Sequence, residues 1–165
     1  LIIQGDEPLI QYDHILRMKE AIYKNPEIDA WNSTSKIIHE NDLFKKNVVK
    51  AAVSEENRIL YCFRNSPSFC EIKNQLEYIK KIQGLISFKK DALLKLASLQ
   101  PTKCEVIESI EQLRIISNGL SFFSVNQKNQ VPSINEEKDL NDLYNYLKNN
   151  QYEFDITNEI LENKY

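Results

Sequence analysis

Strand-like and helix-like segments alternate along almost the whole chain, and that alternation narrows the possible folds more than any other feature. Leu1–Gln4 reads as a buried strand that breaks at Gly5. Ile15, Leu16, Met18 and Ile22 then recur at helical spacing to about Lys24, with Asp13 as N-cap, and Asn25-Pro26 ends the run. Ile28–Ser35 reads as a strand carrying Trp31, a core residue, and Asn41 opens a short helix. Val48–Val53 and Arg58–Phe63, joined by the polar Glu55-Glu56-Asn57, predict a hairpin. Ile79–Phe88 is a further strand, and Asp91–Leu96 a helix broken by Gln100-Pro101-Thr102. Glu105–Asn118 reads as one helix stopped by Asn118-Gly119. Leu120–Asn126 is a strand, and Glu137–Asn150 an amphipathic helix with Leu140, Leu143, Tyr144 and Leu147 on one face. The tail is either a strand around Tyr152–Ile156 with a short helix, or a mobile end. The expected class is α/β with a mixed sheet, residues 1–150 in one domain and 151–165 as a C-terminal tail.

The 165 residues, 42% of them hydrophobic, are enough for one domain with a real core. A net charge of −3 favours neither nucleic acid nor an anionic membrane surface. No apolar run approaches the ~18 residues of a membrane span. No basic region precedes the first apolar run, so it does not read as a signal peptide. With only 3 glycines, the chain has no Gly-rich phosphate loop. Cys62, Cys70 and Cys104 form neither a CxxC pair nor a zinc spacing, and their odd number argues for a reducing cytoplasm. His14 and His39 fit capping or surface roles.

The chemistry-bearing feature is Asp6-Glu7, directly off the first strand. In open α/β sheets ligands bind beyond the carboxyl ends of strands. A carboxylate there can hold Mg²⁺, which in turn screens nucleotide phosphates. The same Asp could simply cap a turn.

The longer strings weigh between those readings. Gln4-Gly5-Asp6-Glu7-Pro8-Leu9-Ile10 resembles the Q-G-D-E-P signature of the CMP-Kdo synthetases (octulosonate cytidylyltransferases). Asn47-Val48-Val49-Lys50 and Ile59–Arg64 resemble that family's N-x-V-K and Y-F-S-R strands, and Gly84–Phe88 its G-I-Y strand. Pro101-Thr102 through Glu105-Val106-Ile107-Glu108-Ser109-Ile110-Glu111-Gln112-Leu113-Arg114 is similar to its P-[ST]-x-L-E-x-x-E-x-x-E-Q-L-R helix. The likeness runs over about Leu1–Leu147. The family's R-L-P-G-K nucleotide segment precedes Q-G-D-E-P and is not present here. The resemblance therefore implies the C-terminal portion of a Rossmann-like, GT-A-like nucleotide-sugar transferase fold, with an unpaired edge at Leu1–Gln4 that favours association.

What the resemblance implies is transfer of CMP from CTP to an acidic sugar such as Kdo, releasing pyrophosphate, in a cytoplasmic homodimer that uses Mg²⁺. Asp6 would be the catalytic metal-binding carboxylate, and Gln4 would contact the sugar. Glu105, Glu108 and Gln112, on one helical stripe, would bind sugar hydroxyls, with Val106, Ile107, Ile110 and Leu113 on the core face. Arg64 would meet the sugar carboxylate, or be an ordinary exposed arginine. Asn135 stands where the family has a second metal-binding Asp, and a neutral amide is the weaker Mg²⁺ ligand. Lys81-Ile82-Gln83 replaces the histidine before the G-I-Y strand, and Asn65–Tyr78 is short and lacks I-P-W. These departures leave two further readings: another sugar class, or a non-catalytic binding protein derived from such an enzyme.

Overall fold

The computed structural model describes residues 1–128, 131–134 and 136–162; the side chains of 152, 153 and 160–162 are outside that description. The elements are β1 (Ile2–Ile3), α1 (Tyr12–Lys24), β2 (Ala30–Lys36), a 3₁₀ turn (Glu40–Leu43), β3 (Lys50–Val53), β4 (Ile59–Phe63), α2 (Ile72–Tyr78), β5 (Ile79–Phe88), α3 (Lys90–Ser98), α4 (Lys103–Glu108), α5 (Gln112–Ser117), β6 (Phe122–Asn126), α6 (Asp139–Asn149) and α7 (Gln151–Glu162). The strands form one six-stranded mixed sheet in the order β4-β3-β5-β2-β6. Among the described residues, β2 and β6 run parallel and the other pairings are antiparallel. The predicted α/β class and the β3–β4 hairpin are both present.

Ten-residue β5 is the spine. It pairs with β2 along one side and on the other side with β3 near its start and β1 near its end. Strand alternation splits the core into two layers. Ala30, Ile86 and Phe122 face Leu96, Ile110, Leu113 and Ile115 of the α3–α5 layer. Trp31, Leu85 and Val125 face Met18 of α1. A third cluster joins Leu43, Phe63 and Ile79 to Ile72 and Leu76 of α2.

Four sequence expectations are corrected. Ile2 and Ile3 are 44% exposed each, not buried, because β1 has a partner on one side only. Helix α1 is capped at Gln11, two residues before Asp13: the Gln11 N–H donates to His14 Nδ1 at 3.0 Å, while Asp13 pairs with Arg17. The expected 105–118 helix is two helices, parted at Ser109, which sits in the left-handed region with φ +53°. The kink turns Ile110 into the core and leaves Val106 and Ile107 exposed. The tail around Tyr152–Ile156 is helical, within α7, rather than a strand. Helix α2 had no counterpart in the sequence reading. Among the described residues, no helix is long and apolar enough to cross a membrane.

Candidate active site

Asp6 follows β1 on a loop that folds back onto β5. Glu7 is the anchor of that loop. It is 8% exposed, and its Oε1 accepts the Gly84 N–H at 2.7 Å. The Gln4 N–H donates to the Gly84 carbonyl at 2.8 Å. Gly84 is required by space rather than by torsion: a Cβ there would lie 2.6 Å from Glu7 Cγ and 2.7 Å from Gln4 Oε1. A third tie, from the Ile134 N–H to the Asp6 carbonyl at 2.8 Å, holds the segment before α6 against the loop.

Burial raises the Glu7 carboxyl above its ordinary range; the Gly84 N–H and then Lys81 oppose that shift, and the neighbouring Asp6 adds to it. Among the described residues its Oε2 is buried without a hydrogen-bond partner. Asp6 is half-buried, and among the described residues its carboxylate has neither a hydrogen-bond nor an ion-pair partner. The two acids thus separate into an anchor and an available ligand.

Beside the loop lies a cavity of about 240 Å³. Gln4, Asp6 and Glu7 line it from the acid loop, Asn47 and Arg64 from the hairpin, Lys81 and Gly84 from β5, and Ser109, Glu111 and Gln112 from the α4–α5 break. Gln4 and Gln112 also line a neighbouring, more apolar cavity of about 180 Å³ over Ile86, Phe88, Leu96 and Ile115. Asn47 Nδ2 donates to Glu136 Oε1 at 3.3 Å, which places Glu136 at the rim.

Four of the residues singled out in the sequence, Gln4, Asp6, Arg64 and Gln112, share the first cavity. Arg64 is already committed. Its Nε donates to the Glu108 carbonyl at 3.0 Å, its Nη1 to Lys46 O at 2.8 Å and its Nη2 to Ser109 O at 2.8 Å. The guanidinium staples the hairpin to the helix break. Glu105 and Glu108 do not line the cavity. The Glu105 carboxylate caps α4 through the Thr102 N–H at 3.0 Å and receives the Arg114 guanidinium, with Nε to Oε2 at 2.8 Å. Its carboxyl is held below the usual range chiefly by Arg114, with a smaller pull from Thr102. Glu108 offers its carbonyl, not its side chain, to Arg64. The break at Ser109 therefore dissolves the expected stripe of Glu105, Glu108 and Gln112. Asn135 lies outside the described residues.

Two residues escaped the sequence reading. Lys50 is fully buried, and its ammonium donates to Lys45 O and Val48 O, each at 2.7 Å, and to Arg64 O. Burial pulls it down to about 8, partly offset by Asp42. A lone cation inside Val48-Val49-Lys50-Ala51-Ala52-Val53 was the available signal. Asn32 is also fully buried, in the polar run Asn32-Ser33-Thr34-Ser35 of a central strand. Such a run inside a sheet is itself conspicuous, because buried polar groups need partners.

Among the described residues no three His, Cys, Asp or Glu side chains cluster as a self-sufficient metal cage. A Mg²⁺ ion does not require one, since it takes one or two carboxylates and completes its shell with water and ligand phosphates. The free Asp6 carboxylate on an open polar cavity fits that mode.

This is an α/β protein whose polar cavity opens beyond a strand end, with an acid loop as one wall. A family model described as cytidylyltransferase matches residues 1–125. The chain belongs to the cytidylyltransferase family. It is 27% identical over 148 residues to a 3-deoxy-manno-octulosonate cytidylyltransferase of Fusobacterium nucleatum, covering 90% of this chain and 60% of that protein. With the enzymes of the same name from Elusimicrobium minutum and Rickettsia felis, identity is 30% and 33%, over 91% and 89% of this chain and 62% and 57% of theirs. A solved structure of CMP:2-keto-3-deoxy-manno-octonic acid synthetase complexed with CTP superposes with a TM-score of 0.79 at 20% identity, over 90% of this chain and 61% of that one. The chain thus spans about three-fifths of the relatives it matches.

Proposed function

We propose that this chain supplies the acid loop and sugar-side cavity of a cytidylyltransferase that joins CTP to an acidic sugar, Kdo or a near relative. The observation that carries this reading is the free Asp6 carboxylate, held beside Gln4 and Gln112 on one polar cavity in a chain of this family. In the reaction the sugar's anomeric oxygen bonds to the α-phosphorus of CTP, the bond to the bridging oxygen of pyrophosphate breaks, and the hydroxyl proton leaves to solvent. Such chemistry needs positioning and charge neutralisation more than covalent help from side chains. Mg²⁺, when bound, supplies the neutralisation. Asp6 holds the ion, Glu7 fixes the loop that carries Asp6, and Gln4 and Gln112 orient sugar hydroxyls.

Arg64 shapes the cavity wall, and Lys81, which lines the same cavity, is the better placed cation for the sugar carboxylate. The exposed Leu60 and Tyr61 of the β3–β4 hairpin supply a homodimer surface in this reading, and the setting is cytoplasmic.

The test is pyrophosphate release with CTP, Mg²⁺ and a panel of acidic sugars including Kdo, on this chain and on the full gene product. Release with one sugar names the substrate. Asp6→Ala is expected to abolish release and Mg²⁺-dependent nucleotide binding while the fold stays intact. Unchanged binding removes Asp6 from the metal site, and no release with any sugar from either form favours a non-catalytic binding protein.

A further inference from the structure

The β2–β5 pairing slips inside the sheet. Its register runs from Asn32↔Ile86 to Thr34↔Ile82, so β5 spends two more residues than β2 over the same step. A bulge of this kind bends the strand and interrupts the ladder, leaving backbone groups to find other partners.

One side chain meets that need. The Asn32 amide Nδ2 donates to Gln83 O at 2.8 Å and reaches Leu85 O at 3.4 Å, besides its own neighbour Ser33 O at 2.9 Å. Gln83 and Leu85 flank Gly84. Gly84 turns its N–H and C=O the other way, to Glu7 Oε1 at 2.7 Å and the Gln4 N–H at 2.8 Å. The bulge is therefore shared: Asn32 holds its β2 side and the acid loop hangs from its β1 side. Asn32 Oδ1 in turn accepts from Gln112 Nε2 at 3.4 Å, which brings in the α5 wall of the cavity. Asn32 is 0% exposed, so water does not substitute for it.

We propose that Asn32 is a positioning residue for the acid loop: it fixes the β5 bulge so that Gly84 presents both backbone groups to Gln4 and Glu7, and it couples that loop to Gln112 across the cavity. Asn32 does not touch the ligand. It acts through Gly84 and Gln112. Its consequence for catalysis rests on the cytidylyl-transfer reading, whereas its consequence for the loop does not.

The experiment compares Asn32→Ala and Asn32→Leu with the parent protein by amide hydrogen exchange, with pyrophosphate release measured alongside. Leucine fills the volume and donates nothing; alanine does neither. If either variant fails to fold, Asn32→Ser, which keeps one short donor, takes its place. The expected result is exchange at Gly84 and Gln4 faster by tenfold or more, with less than twofold change at the β2–β6 amides. Pyrophosphate release should fall at least tenfold. A merely structural role predicts a uniform rise in exchange across the sheet, and that result, or no change at Gly84, overturns the proposal. Lost release with unaltered Gly84 exchange also overturns it and leaves the cytidylyl-transfer reading standing. Selective Gly84 exchange in a parent protein that releases no pyrophosphate sustains the proposal and counts against that reading.

Discussion

Glu7 and Asp6 are adjacent in sequence and differ in every physical respect that matters. Glu7 is buried, with one oxygen on the Gly84 N–H and the other unpartnered; Asp6 is free on the cavity. The sequence puts both acids at a strand end, and the family resemblance gives the metal role to Asp6. Neither shows that Glu7 is a buried anchor, because that depends on Gly84, 77 positions away. A carboxyl raised by burial binds its proton more tightly in the folded chain than in the unfolded one. Its contribution to stability is thus full below the ordinary value of 4.5 and is lost as pH rises through the higher folded value. Glu7→Gln keeps the acceptor for Gly84 and removes the charge. We expect the variant to gain on the parent as pH climbs above 4.5 and to stop gaining once the folded Glu7 is fully ionised. Urea unfolding of both proteins across that range is the check; parallel curves would contradict the buried-acid account. Lys50 shows the same limit of legibility. Its charge was visible in the sequence, but its three carbonyl partners come together only in the fold.

Elements were legible where periodicity is long and unbroken. The spine strand Ile79–Phe88 and the hairpin turn at Glu55–Asn57 lie where alternation and turn chemistry put them. The seven residues of α2 are too few to show a helical period. The single helix read over Glu105–Asn118 fails for a reason that local propensity does not contain: Arg64, remote in sequence, takes the carbonyls of Glu108 and Ser109, which a continuous helix would use internally. Ser109 then occupies the left-handed region, which costs a residue with a Cβ about 1–2 kcal/mol. Ser109→Gly should relieve much of that cost and raise the unfolding free energy by about 1 kcal/mol. Loss of stability in a chemical denaturation experiment would mean that the serine side chain earns its place in some other way. The same break separates Gln112, which reaches the cavity, from Glu105, which is spent on Arg114.

At the scale of the whole molecule, the mixed sheet followed from alternation alone, and the family from short strings in a fixed order. Strand neighbours did not follow, since nothing in Leu1–Gln4 tells that β1 shares a side of β5 with β3. That placement leaves Leu1, Ile2 and Ile3 exposed at 58%, 44% and 44% on a strand with one free edge. An apolar free edge is a template for pairing with another chain. We expect concentration-dependent association of the 165-residue chain, relieved by Ile2→Lys with Ile3→Lys; sedimentation velocity of a sharply monomeric parent at high concentration would refute it. Lys50 and Arg64 spend their charges on neutral backbone carbonyls, whereas Arg17–Asp13 and Lys138–Glu136 are solvent-facing ion pairs. Dissolved electrolyte weakens attraction between exposed opposite charges and scarcely touches a buried cation gripped by peptide dipoles. Lys50, the buried one of the two, thus keeps its hold on the hairpin from dilute to concentrated brine, while the helix surfaces around it soften.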